Sequence, residues 1–288
     1  MVIRPARALV AAAALTRGVL FGVSVSTAIA GAALSGGCVF NMAVEEETRT
    51  SSIPHVAASA LAVDTANGAI TVTTAAEAKE VTVVAKLRAQ SKERLAATKV
   101  LAERKDDKTL SIYVKWPDDK RLSYEGCAFE IVLPDASSVK LTSSNGAVTA
   151  KGINGVVYAE SSNGAITIDR AGGEVTARTS NGAITISDAP GKVIADSSNG
   201  SIKVSLTKDA KGPAKLDTSN GSITLTFGAA FTGEIEADTS NGRVSVSGVD
   251  AAKVRQSKKS EARVTLGEGE KSVLDTSNGS ITIERRAE

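Results

Sequence analysis

The chain has 288 residues, enough for one large domain or two smaller ones. Its 34 Lys and Arg against 32 Asp and Glu leave a net charge of +2, which gives no electrostatic footing for nucleic acid. Aromatic residues are only 3% of the chain and His55 is the single histidine, which excludes an aromatic-centred core and any mechanism built on several histidines.

The N-terminus reads as an export segment over residues 1–38. Arg4, Arg7 and Arg17 supply positive charge, and Gly18 to Ala33 is uncharged and apolar. The run ends in Leu34-Ser35-Gly36-Gly37-Cys38, small residues before a cysteine, which resembles a bacterial lipoprotein signal. That resemblance implies lipidation of Cys38. Two other outcomes fit the segment: cleavage after Ala28-Ile29-Ala30, leaving Cys38 as a plain thiol, or retention as an anchor, since about 20 apolar residues span a bilayer. All three put the body of the protein outside the cytoplasm. Val39 after the candidate lipid-bearing cysteine resembles lipoproteins passed to an outer membrane. Residues 39–54 are polar and aperiodic and read as a flexible tether.

Residues 55–136 read as a β-rich N-terminal module with one helix. Leu61 to Thr73 holds two short strands around Asn67-Gly68, and Glu80 to Arg88 alternates as a strand does. Ser91 to Arg104 changes period: Leu95, Val100 and Leu101 fall near one helical face, Ser91 suits an N-cap, and Arg104 and Lys105 suit the C-terminal end. Leu110 to Lys115 and Phe129 to Leu133 are strands again, separated by turn punctuation at Trp116-Pro117-Asp118-Asp119.

Residues 137–288 are built from a repeat. Ser-Asn-Gly preceded by Ser or Thr occurs seven times, at Asn145-Gly146, Asn163-Gly164, Asn181-Gly182, Asn199-Gly200, Asn220-Gly221, Asn241-Gly242 and Asn278-Gly279. The spacings are 18, 18, 18, 21, 21 and 37, a period that marks a repeat architecture. Each unit has two alternating strands, such as Val175 and Ala177 on one and Ile184 and Ile186 on the other. The long gap suits one degenerate copy around Lys258-Lys259-Ser260-Glu261.

Asn-Gly between apolar runs is the strongest local signal for a β-hairpin. A meander of hairpins, however, would set successive Asn-Gly corners two strands apart, and their side chains would gain little from being alike. In a solenoid, equivalent corners stack about 4.8 Å apart. Asparagine amides then bond from coil to coil, the neighbouring Ser or Thr hydroxyls do likewise, and glycine serves a positive φ. The uniform corner favours an all-β, right-handed parallel β-solenoid.

With Thr179-Ser180-Asn181-Gly182-Ala183-Ile184 and its copies, the chain resembles a family of bacterial envelope proteins described as candidate adhesins of unknown function, which carry repeated [T/S]-x-N-G-x-[I/V] units. The resemblance covers about Leu61 to Ile283. It implies a β-helix-like fold and an exported location, and it implies no catalytic residues.

Asp196, Asp217 and Asp238 each stand two residues before Ser-Asn, so stacked coils would align them as a carboxylate column. Such a column suits glycoside cleavage or calcium, but Glu160 and Arg178 at the same place in other units fit a solvated repeat position better. Thr167, Thr185, Lys203, Thr224, Ser245 and Thr282 would form an outward row. Cys127 suits a small buried core residue. Trp116 sits in a charged loop with Lys115, Asp118, Asp119, Lys120 and Arg121.

The reading is a non-enzymatic exported envelope lipoprotein with an adhesin-like surface or scaffold role, without a cofactor, catalytic residue or bound metal. Its expected partners are the membrane, through a lipid anchor on an outer-membrane or periplasmic face, and an envelope protein or glycan. A carbohydrate-active β-helix enzyme and an envelope sensor of a membrane protein are the alternatives.

Overall fold

The computed structural model describes residues 24–25, 44–105 and 108–287. The export segment with Cys38, and residues 39–43 of the expected tether, therefore lie outside the described residues, apart from Ser24–Val25, which pair with Arg49 and Thr50. The described residues form an all-β structure of two twelve-stranded mixed sheets, and no helix among them is long and apolar enough to cross a membrane.

From Ser138 onward the chain alternates between the sheets. Val175–Thr179 belongs to one and Ile184–Ala189 to the other, with Ser180 to Ala183 between them. The next unit repeats the step in parallel register. Val157 faces Val175 and then Val193; Ile166 faces Ile184 and then Ile202. Neighbours within each sheet are thus the same positions of successive repeats. The Asn-Gly corner does not fold a hairpin, because the strands on either side of it enter different sheets.

Period-2 alternation turns one face of each strand inward. Ile184, Ile186, Ala177 and Val193 are fully buried, and their outward neighbours Thr185 and Arg178 are not. The core between the sheets is a stack of Ile, Val, Leu and Ala layers. Its thinness explains why the composition needs so few aromatics.

The stacking follows chain order only up to Ala214–Asn220. The last repeat, Ser272–Asn278 with Ile281–Arg285, lies between that unit and the one before it in sequence. Ser272–Asn278 pairs in parallel with Ala214–Asn220 on one side and Glu234–Asn241 on the other. Ile281–Arg285 likewise separates Ile223–Phe227 from Val244–Ser247. The inserted unit carries Leu-Asp-Thr-Ser-Asn-Gly-Ser-Ile-Thr at 274–282, the same nine residues as 216–224, so the two present the same faces to a neighbour.

Four expectations are corrected. Glu45–Pro54 is a strand paired antiparallel with Glu80–Ala89, so most of the supposed tether is structured. The helix is only Lys92–Ala97, capped by Ser91 as anticipated, and Lys99–Lys105 is a strand antiparallel to Thr109–Lys115. There, Val100 and Ala102 pack against the core and the charged residues alternate with them, a pattern that a short helix and an edge strand share. Around Lys258 to Glu261 there is no degenerate repeat: Val254–Lys258 and Glu261–Thr265 form an antiparallel hairpin laid along Glu234–Asn241. It covers an edge that would otherwise present unpaired backbone groups, and its outer strand carries exposed Arg255 and Lys258.

The fourth correction concerns glycine. None of the seven corner glycines has a positive φ. A methyl group on Gly182 would instead overlap the carbonyl oxygen of Gly164, and Gly146, Gly164, Gly200, Gly221, Gly242 and Gly279 each stand in the same relation to a glycine of the neighbouring unit. Glycine is required because the corners approach more closely than any side chain allows. Gly191, by contrast, has open space where its Cβ would be. Gly182→Ala is therefore expected to destabilise by at least about 1–3 kcal/mol in urea unfolding, whereas Gly191→Ala changes stability by no more than about 0.5 kcal/mol. Equal effects would contradict the close stacking.

Candidate functional site

The corners build a continuous polar spine. Asn145 Nδ2 donates to Asn67 Oδ1 at 2.7 Å, and Asn163, Asn181, Asn199 and Asn220 each donate to the preceding asparagine at 2.7–2.9 Å. The spine then passes through the inserted unit: Asn278 donates to Asn220 at 3.0 Å and Asn241 to Asn278 at 2.9 Å. The adjacent hydroxyls do not bond to one another as expected. Ser161, Thr179, Ser197 and Thr218 donate instead to the glycine carbonyl of the neighbouring corner, at 2.9–3.0 Å. That contact satisfies a buried carbonyl and uses the hydroxyl inward, where the glycine leaves room.

Parallel register also sorts the outward side chains into rows across each sheet. On one sheet Thr167, Thr185, Lys203, Thr224, Thr282 and Ser245 stand in line, preceded by Thr71 and Thr149. On the other, Asp196, Asp217, Asp275, Asp238 and Glu261 follow one another. Asp275 and Glu261 were not anticipated: the first enters with the inserted unit and the second with the hairpin. Burial and the adjacent Asp196 and Asp275 push the Asp217 carboxyl above its usual range, and burial, Glu261 and Asp275 do the same to Asp238. Among the described residues no group of three or more His, Cys, Asp or Glu could hold a metal ion. The acids form a line rather than a cage.

Continued toward the N-terminal module, this row reads Arg178, Glu160, Thr142, Asp64 and Tyr113. Here the face is no longer flat. A groove of about 580 Å³ opens, lined by Ala62, Asp64, Tyr113, Lys140, Thr142 and Glu160 from the strands and by Trp116, Arg121 and Gly126 from the following segment. Ala62 sits between Ser111 and Lys140 in the neighbouring row.

The wall of the groove is pinned from behind. The helix Lys92–Ala97 holds Arg94, whose Nε and Nη2 donate to the two oxygens of Glu125 at 2.5 and 2.8 Å, and whose Nη2 also reaches the Lys120 carbonyl at 2.8 Å. Glu125 is fully buried and accepts a further bond from Leu122 N at 2.8 Å. Its pairing with Arg94 holds the carboxyl below the usual range. Arg121 Nη1 donates to the carbonyls of Leu122 and Glu125, and Asn67 Nδ2 to that of Glu125 at 3.0 Å. The short helix thus fixes a loop 31 residues away, and the first asparagine of the spine ties the same loop to the repeats. Cys127, just beyond it, is buried and its thiol is pushed up to about 12, so it is an inert core residue.

No protein-family profile matches the sequence, and no curated protein does. Among solved structures the chain is similar to a candidate cell adhesion protein of Clostridium sporogenes, at 15% identity and a TM-score of 0.33 over 85% of this chain and 100% of that one. It is similar to a candidate adhesin of Bacteroides fragilis, at 12% identity and 0.41 over 84% and 97%. A third is a candidate lipid binding protein of Parabacteroides distasonis, at 13% and 0.31 over 84% and 97%. Likenesses of this size establish neither a family nor an activity.

The two kinds of carboxyl respond oppositely to pH. A folded-state value raised above the unfolded one means that ionising Asp217 and Asp238 opposes folding, so their contribution worsens as pH rises through the carboxylate range. The lowered Glu125 contributes stability above that range and loses it as pH falls. At neutral pH Asp217→Asn is expected to stabilise by about 0.2–1 kcal/mol, the scale of like charges paired across strands, while Glu125→Gln destabilises. Urea midpoints at pH 7 and pH 4 measure this, and the gain from Asp217→Asn shrinks at the lower pH.

Proposed function

We propose that the protein is a non-enzymatic, exported envelope protein whose two sheets are the walls of a right-handed parallel β-solenoid, presenting a long outer surface in an adhesin-like or scaffold role. The observation that carries the reading is the unbroken side-chain spine from Asn67 to Asn241, which keeps every repeat at one spacing and lines up its outward residues in rows. Rows of this kind offer binding along an extended face rather than in one deep cleft. The right hand follows from chemistry common to L-residues: crossovers joining parallel strands of one sheet turn right in nearly all cases.

Attachment through a lipidated Cys38 fits this role. Six residues, 39–44, separate Cys38 from the strand Glu45–Pro54, a reach of about 20 Å when extended. An anchor there holds the N-terminal module close to the membrane. Fractionation of bacteria expressing the full chain is expected to recover it in membranes, extractable by detergent and resistant to high salt. Cys38→Ser is expected to release it to the soluble exported fraction, and the purified protein to bind isolated envelopes saturably. Recovery of the wild-type chain in the cytosol, or no binding to envelopes, would overturn the proposal.

A further inference from the structure

We propose that the groove beneath Trp116 is a binding site for a neutral oligosaccharide. The inference rests on the surface-binding reading and deepens it, by locating one specific ligand site at the N-terminal end of an otherwise repetitive face.

The distribution of aromatics points to this place. The chain has one Trp and three Tyr, and all four fall within residues 113–158. Tyr113 and Trp116 line the groove. Tyr158 stands beside it: its hydroxyl donates to Glu160 at 2.8 Å, and Lys140 Nζ lies 5.5 Å from its ring centroid. Tyr124 is on the loop itself and 54% exposed. By contrast, Phe129, Phe227 and Phe231 are core residues. Trp116 is half-buried and packs against the hydrophobic core, and all the amphipathic aromatics of the chain fall at this end.

The polar groups complete the case. Asp64, Glu160, Arg121 and Lys140 line the same groove, two acids and two cations that cancel. Asp64 makes no hydrogen bond or ion pair among the described residues. A sugar ring offers apolar C–H faces and a rim of hydroxyls that both donate and accept. Aromatic faces suit the first, and carboxylates, guanidinium and ammonium groups suit the second. The cancelled charge matches a ligand without phosphate or carboxylate, and the acidic row beyond Arg178 repels anionic polymers. The volume lies within the ~300–1,000 Å³ of small-molecule sites. The Arg94–Glu125 pair, the Arg121 bonds and the Asn67 bond fix the loop beforehand, so little ordering cost remains on binding.

Trp116, the single tryptophan, is a built-in reporter. The full chain is titrated with maltotriose, cellotriose, xylotriose and chitotriose as neutral probes, and with trigalacturonate and glycerol phosphate as charged ones, following Trp116 emission. At least one neutral trisaccharide is expected to shift the emission saturably, with a Kd of about 1 mM or tighter. Asp64→Asn, which alters an exposed side chain without changing its shape, is expected to weaken that binding about tenfold, as loss of a charge-assisted hydrogen bond does. Tyr113→Ala is expected to weaken it as well, and Asp217→Asn, on the distant acidic row, to leave it unchanged. No saturable shift with any neutral probe, a response to the charged probes alone, or a shift indifferent to both Asp64→Asn and Tyr113→Ala would overturn the proposal. If wild type and Asp64→Asn bind isolated envelopes equally while no neutral trisaccharide binds, the groove assignment falls and the surface reading stands. Loss of all envelope binding, by contrast, sinks the surface reading itself.

Discussion

The structure depends on one contact: the corner glycine of each repeat lying against the carbonyl of its neighbour. No other residue fits there, because any Cβ would overlap that oxygen. Once the corners are this close, the rest of the motif follows. Asparagine amides come within hydrogen-bond reach of one another, and the preceding Ser or Thr hydroxyl meets the same glycine carbonyl from the inside. The hydroxyl thereby satisfies a glycine carbonyl where the chain leaves one sheet for the other, the place where a β fold most easily leaves buried polar groups unpaired.

A fixed spacing has consequences on both faces of each sheet. Inward, identical positions stack, so Ile lies over Ile and Ala over Ala, and a narrow core of modest side chains closes without large aromatics. Outward, whatever residue the repeat carries is multiplied into a row. Threonine rows are benign, whereas a row of aspartates is a line of like charges held at strand spacing, and burial together with those neighbouring charges raises Asp217 and Asp238. The same uniformity allows the last unit to slide between its two predecessors: a unit with the same sequence as its neighbour meets equivalent faces on either side. The ends of the stack are where the repeat stops and shape appears. One carries the antiparallel hairpin; the other carries the module whose pinned loop makes the groove.

Much of the β organisation was legible because period and alternation are local properties. Val175, Ala177, Ile184 and Ile186 announce their burial directly, and the uniform Asn-Gly argued against a meander. The reason for glycine is not local, since positive φ is what an isolated Asn-Gly suggests and only the neighbouring unit reveals the steric limit. Glu45–Pro54 reads as a tether because a strand with few buried positions, Glu-Glu-Glu-Thr-Arg-Thr-Ser-Ser-Ile-Pro, shows little hydrophobic alternation. The insertion of the last unit was invisible, as sequence order does not specify stacking order when units are alike. The groove was also hidden. Trp116 and Arg121 stand out as a charged loop, but what fixes that loop is the pairing of Arg94 with the buried Glu125, which has no sequence signature.

The central claim, that like corners sit one strand apart in parallel, is tested most directly by disulfide trapping at Glu160 and Arg178, which face each other across adjacent strands. At the strand spacing of about 4.8 Å their Cα atoms lie within disulfide reach, whereas a meander would hold them about 9–10 Å apart, beyond the ~7 Å limit. In a chain with Cys38 and Cys127 replaced by serine, the pair Glu160→Cys and Arg178→Cys is expected to form an intramolecular bridge under mild oxidation with native stability retained. Failure of this pair to cross-link in the folded protein would contradict the stack.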